Sequence, residues 1–375
     1  MSYKVSDIVA FLESIAPPRL KMQWDNVGLL CGDADAGVTC ALLALDITDA
    51  VAEEAQSCGA NLIISHHPLV FRPLASVTAQ GAGSLVWRLA KSGISAVCMH
   101  TNLDAASGGV NDALAAALSL SQVSGFAAVS REAYYKVTVF VPEEHAVSVR
   151  EAMSAAGAGN LMGYSGCAFM AKGKGSFLPG EGTNPAVGQP GVYEELTELR
   201  LEMLCPKERL HAVVAAMRET HPYEVPAYDV FENLAPDSPL FLGRIGRLSS
   251  MMTSQELATY VCERLGCAGV RMSAGKGGIR RVAVIGGAGS EHLREAADAA
   301  DAFVTGEVKY HEFLEAQRLG VTLIEAGHYH TERPVLAHLC AAVKKAFPRL
   351  SCSVAERCAP AYSIVCAPCG KTCKD

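Results

Sequence analysis

The chain has 375 residues, half of them apolar and 19% charged, the balance of an ordinary globular protein large enough for two or three cores. A net charge of −7 and a pI near 5.9 exclude a broadly basic surface, so nucleic acid is not expected as a partner. The apolar runs are too short to cross a bilayer, and Asp7 and Glu13 interrupt the opening pattern as no secretory leader would, so a cytoplasmic protein without a membrane partner is expected.

In chain order, Val5, Ile8, Val9, Leu12 and Ile15 first mark one face of a helix. Strands follow over 40–46, 61–65 and 94–100, alternating with helices over 49–57, 84–91 and 110–118. Such a βαβαβα series implies a parallel sheet covered by helices. The middle differs. A strongly alternating strand over 135–141 precedes a helix over 143–155 and glycine-punctuated strands between 163 and 178. A strand over 198–204, a helix over 207–220 and a strand over 225–231 complete two βαβ units, a ferredoxin-like α+β module. The Gly/Pro-rich stretch 179–191 reads as a loop within it. The last third returns to strands over 281–285, 302–305 and 321–325 and helices over 291–299 and 311–319, with another helix beginning near Thr331. The fold class is α/β, with halves at 1–131 and 234–375 interrupted by an inserted α+β domain at 132–233. Fourteen cysteines, mostly in apolar stretches, read as reduced thiols packed like small hydrophobes.

Three segments at strand ends carry candidate chemistry. Ile63-Ile64-Ser65-His66-His67-Pro68 places two histidines where open α/β sheets bind ligands. Imidazoles there can turn toward neighbouring metal ions, or simply hydrogen-bond loop backbone. His100-Thr101-Asn102-Leu103-Asp104 also follows a strand. Asp104 can bridge two cations, and it can equally form an Asx-type turn or a helix cap. In Gly327-His328-Tyr329-His330-Thr331-Glu332, His328 and Glu332 share one helical face, although glutamate is also favoured at a helix start by the dipole. Together, three histidines and two carboxylates make a mixed N/O set suited to Zn, Fe or Mn. Thr305-Gly306-Glu307 could present Glu307 as an acid/base or orienting group, with Lys309 and His311 near an anionic substrate, or could be an exposed helix start. Gly286-Gly287-Ala288-Gly289 reads as a tight turn rather than a phosphate cradle, and Trp24-Asp25-Asn26-Val27-Gly28 as a packing segment. Cys366, Cys369 and Cys373, with Cys358, fall short of a convincing zinc site and read as redox-active or incidental.

With these segments in view, the chain resembles the dinuclear-metal-centre family, also called NIF-three-like, whose members are known as GTP cyclohydrolase 1 type 2 homologues. The resemblance rests on Trp24 to Leu29, Ser65 to Pro68, His100 to Asp104, Thr305 to Glu307 and Gly327 to Glu332. It implies one metal-cleft domain in which His66, His67, Asp104, His328 and Glu332 hold two divalent ions (Zn, Fe or Mn) per subunit. It implies a toroidal homohexamer, and an insertion similar to PII and CutA trimer-forming domains, marked here by Gly173 to Phe177, Gly182 to Pro185 and His221 to Glu224. The implied activity is hydrolytic opening of the guanine ring of GTP with formate release, with His100, Glu307 or His330 moving protons. A dinuclear phosphoesterase and a non-enzymatic metal-binding regulatory scaffold are the alternatives. This chain departs from the family's usual Thr-Gly-Asp pattern by carrying Glu307, one methylene longer. Its cysteine-rich tail is not part of the pattern.

Overall fold

The structure, a computed structural model, describes residues 3–131, 134–161, 164–233 and 239–364. Cys366, Cys369 and Cys373 lie outside the described residues. The architecture is mixed α/β, and the chain divides into two compact units, Met1–Val129 with Leu240–Asp375, and Ser130–Pro239.

The first unit is built on two large sheets. One runs in the order Ser351–Val354, Cys40–Ala44, Leu62–Ser65, Ser95–Cys98, Gly28–Cys31. Its first four strands are parallel and the last is antiparallel. The three central strands are almost wholly buried, as expected of parallel strands covered on both faces. The covering helices are punctuated as their sequences dictate. In the helix Asp49–Cys58, for example, Thr48 caps the Val51 amide, and Gly59 ends it in the left-handed region.

The second sheet runs Arg271–Ser273, Thr322–Glu325, Ala302–Thr305, Ile279–Ile285, Pro239–Met252, Ser121–Arg131. Its middle three strands are parallel, with antiparallel partners on either side. Period-two alternation sends Val282, Val284 and Val304 into one core beside Leu257 and Val261 of the helix Ser254–Leu265. Ala283, Ile285 and Phe303 enter another, beside Leu293 and Ala316.

The sheets do not follow chain order. Ser351–Val354 and the helix Pro334–Ala346 join the first sheet's core through Val335, Leu339, Val343 and Cys352. Ser121–Arg131 crosses the other way. The helix expected near Thr331 begins earlier, as His328–Glu332, and leads directly into Pro334–Ala346, where proline is tolerated in the first turn.

The second unit is a β-α-β-β-α-β unit with strand order Tyr228–Asn233, Tyr134–Pro142, Glu194–Pro206, Phe169–Phe177, antiparallel throughout. Val137, Val139, Val141, Leu201 and Met203 line its inner face against Val149 and Met153 of the helix Ala146–Ala155 and Val213 and Met217 of Leu210–Thr220. Among the described residues, no helix is long and apolar enough to cross a membrane.

Candidate metal centre

Parallel strands deliver side chains at their carboxyl ends, and here both large sheets of the first unit deliver them to one place. Leu62–Ser65 ends at His66 and His67. Ser95–Cys98 leads to His100 and to Asp104 on the helix Thr101–Ala105. From the second sheet, Thr322–Glu325 leads into the helix His328–Glu332, and Ala302–Thr305 ends just before Glu307.

Each of the four converging imidazoles has one nitrogen tied down. Nδ1 lies 2.8 Å from the Met99 carbonyl in His66, 2.9 Å from Asp46 Oδ1 in His67, 2.7 Å from Asp25 Oδ1 in His100 and 2.7 Å from Glu307 Oε1 in His328. Those partners only accept, so in the neutral rings Nδ1–H donates, and the Nε2 lone pair is left for the shared space. His66 Nε2 stands 3.5 Å from Asp104 Oδ1 and 3.7 Å from Glu332 Oε1, is buried, and has no hydrogen-bond partner. His67 Nε2 is 3.1 Å from Glu332 Oε2, and His328 Nε2 is 3.0 Å from Glu332 Oε1. Two overlapping groups result, His66 with His67 and His100, and His67 with His328 and Glu332, each with ligand atoms within 4.8 Å of one another.

The electrostatics follow from this crowding. Burial alone would lower the two histidines, but Asp46 and Glu332 raise His67 to about 10, and Glu332 and Glu307 raise His328 to about 9. Burial also pushes Asp104 up; His66 pulls against it and Glu332 adds to it. Glu332, although buried, is held well below the ordinary carboxylate value by His66, His328 and His67. A buried orphan nitrogen on His66, two imidazoles whose Nε2 atoms hold a proton tightly against Glu332, and a carboxylate kept ionised make a pocket of negative charge and N/O donors in which a divalent cation would take the protons' place.

The structure therefore gathers His66, His67, His100, Asp104, His328 and Glu332, with Glu307 behind His328. It does not bring in His330. Two positions from each neighbour on its helix, His330 turns away, edge-on to Tyr329, and lines a separate pocket with Arg264 and Arg333. Lys309 lines a pocket with Arg271 and Glu312 that Glu307 also lines.

Two carboxylates were not singled out from the sequence. Asp46 lies just beyond the strand Cys40–Ala44, the same signal that marked the histidines. Asp25 is buried and bonds both His100 and Thr101, while Trp24, expected to pack, is 61% exposed. The packing expectation is thus reversed, because the buried member of that segment is the one with polar partners.

The glycine-rich segment is a tight turn. The amides of Gly286, Gly287 and Gly289 donate to Asn111, Thr331 and Thr305 side chains, so three of the turn's amides are taken up within the fold. Gly287 has a positive φ of 64°, and a Cβ there would stand 2.4 Å from Glu332 Oε1. Cys358 Sγ accepts from the Leu45 amide, and all eleven described cysteines are free.

Residues 3–359 match the family described as Duf34/NIF3 (NGG1p interacting factor 3). A Halalkalibacterium halodurans protein named GTP cyclohydrolase 1 type 2 homolog is 40% identical over 324 residues, 86% of this chain and 87% of its own. A Bacillus subtilis protein of the same name is 38% identical over 325 residues, again 86% and 87%. Among solved structures, the chain is similar to a Bacillus cereus protein related to NIF3, with a TM-score of 0.79 and 35% identity, covering 97% of this chain and 100% of that one.

Proposed function

The chain belongs to the Duf34/NIF3 family, and from that premise we propose that it is a metal-dependent hydrolase that opens the guanine ring of GTP and releases formate. The reading rests chiefly on one observation: four imidazoles anchored through Nδ1 turn Nε2 toward a space shared with Asp104 and Glu332. In this reading His66, His67, Asp104, His328 and Glu332 hold two divalent ions. Bound ions of this kind supply Lewis acidity and acidify a water molecule.

The chain's own groups do the rest. Met99 O, Asp46 and Glu307 fix the rotation of three rings. His100 carries protons: Nδ1–H is fixed on Asp25, so Nε2 accepts a proton and returns it to the substrate. Burial raises Asp25, but His100 and Thr101 outweigh it and hold its carboxyl well below the ordinary range, so it stays ionised and steadies the imidazolium. Family membership also supports a cytoplasmic toroidal homohexamer with a PII/CutA-like second unit, which light scattering would test by mass.

The deciding experiment is metal analysis followed by incubation of the loaded protein with GTP. About two ions per chain and stoichiometric formate are expected. Inorganic phosphate without formate would replace ring opening by phosphoester hydrolysis. A full metal complement without turnover would turn the reading to a binding scaffold. His100→Gln should keep its metal and lose turnover; loss of metal in that variant would make His100 a ligand instead.

A further inference from the structure

Two large aromatic rings stand exposed beside the metal centre. Trp24 is 61% and Phe71 48% exposed, and neither belongs to a hydrophobic core of the first unit. Their ring centroids are 5.8 Å apart at an interplanar angle of 69°. Trp24 is also 6.1 Å from His100, and His100 is 5.5 Å from His67. A continuous line of rings therefore runs from Phe71 through Trp24 and His100 into the metal centre.

The backbone that carries these rings is well tied. Asp25, next to Trp24, is buried on His100 and Thr101. The Met22 amide donates to Thr101 Oγ1 at 2.9 Å, and Lys21 Nζ donates to the Asp25 carbonyl at 2.5 Å. Asn26 Nδ2–H donates to the Val70 carbonyl at 2.6 Å, joining the segment that carries Trp24 to the one that carries Phe71. Exposure of the rings is thus a property of a fixed scaffold and not of a loose loop. Fixed, uncovered aromatic faces are pre-organised binding surfaces.

We infer that Trp24, with Phe71 beside it, is the stacking wall for a planar heteroaromatic ring of the substrate, and that it sets the ring's position relative to the metal centre. This inference rests on the hydrolytic reading of that centre. The broad face of indole favours offset stacking on another planar aromatic ring. The far end of the line is imidazole and carboxylate, which selects a ring with polar edges over an aliphatic or purely hydrocarbon one. A nitrogen heterocycle of purine type meets both conditions.

The chain has two tryptophans, so Trp87→Phe leaves Trp24 as the single indole reporter. On metal-loaded protein, guanosine should change Trp24 fluorescence saturably, and ribose 5-phosphate at the same concentration should not. By calorimetry, Trp24→Ala should bind guanosine about five- to a hundredfold more weakly, the range for losing one base-stacking platform. Metal content and oligomeric mass should be unchanged, and Trp24→Tyr should recover most of the affinity. Equal binding of guanosine by Trp24→Ala, or equal responses to the two probes, would overturn the inference. So would a loss of metal or of oligomeric mass in Trp24→Ala, because the ring would then be a structural or intersubunit element. The two readings fail separately: guanosine binding through Trp24 without GTP turnover refutes the hydrolase, and turnover with unchanged KM in Trp24→Ala refutes the stacking wall.

Discussion

Asp46 holds His67 by accepting a 2.9 Å hydrogen bond from its Nδ1–H. Asp46→Ala should lower metal affinity about 10- to 100-fold without unfolding the chain, as is usual when the partner of a ligating imidazole is removed. Competition with a graded series of chelators would measure it, and unchanged affinity would separate His67 from the metal. The carboxyl ends of strands made His66, His67, His328 and Glu332 legible, because that position carries functional meaning in any parallel sheet. Asp25 was not legible. It sits in the loop before the antiparallel edge strand Gly28–Cys31, 75 positions from His100, and no local pattern announces a partner so distant. His221, in the second unit, gives a test at the same scale. Its Nε2 donates to the Phe140 carbonyl and its Nδ1 accepts from the Tyr223 amide, so the fold holds it neutral. Burial lowers it below its ordinary 6.5, against the Phe140 carbonyl and Glu198, with His145 adding to the lowering. Below pH 6.5 the unfolded chain takes a proton that the folded unit refuses. Stability from this group is therefore complete above 6.5 and lost as pH falls through the folded value. Urea unfolding at pH 7.5 and 5.5 should show a smaller acid loss in His221→Gln than in the parent chain.

Elements were legible where a single segment carries its own pattern. The parallel strands are short, continuous apolar runs, and the helices between them show a 3.6-residue stripe. The long strands Ser121–Arg131 and Pro239–Met252 were not read, because glycines and serines break their alternation. Their logic is tertiary: the Phe241 ring lies over Gly125 and the Phe126 ring over Gly243, each filling the space a Cβ would need. Arg244, only 8% exposed, then ties Pro239–Met252 to the helix Val110–Ala117. Its Nε and Nη2 donate to Asp112, at 2.7 and 2.8 Å, and its remaining hydrogen bonds go to the carbonyls of Ala106, Phe241 and Gly243. Arg244→Met should cost about 3 kcal/mol, the low end for breaking a buried pair, since the Asp112 side chain remains partly solvated. Denaturant titration would show it, and a cost within a few tenths of a kcal/mol would mean the strand is held by its ladder alone.

At the scale of the molecule, the candidate ligands come from both large sheets of one unit. His66, His67 and Asp104 follow strands of the first sheet, and His328 and Glu332 follow a strand of the second. An ion held by both sets binds only when the sheets are assembled, so its binding free energy adds to the stability of that unit. The second unit has its own core around Val139 and Met203 and contributes none of these ligands. At a free-ion concentration about a thousandfold above Kd, the added stability is about 4 kcal/mol. For a unit of this size that corresponds to a shift on the order of 10 °C in Tm. Chelation should therefore lower the melting of the first unit by roughly that amount and leave the second unchanged. Native-state amide exchange resolves the two even where calorimetry shows one peak: protection at Val282 and Ile63 should fall on chelation, while protection at Val139 and Leu201 should hold. Loss of protection at both sets together would mean that the units unfold as one. No loss at either would mean that the converging imidazoles hold no metal, and the hydrolytic reading would fall with it.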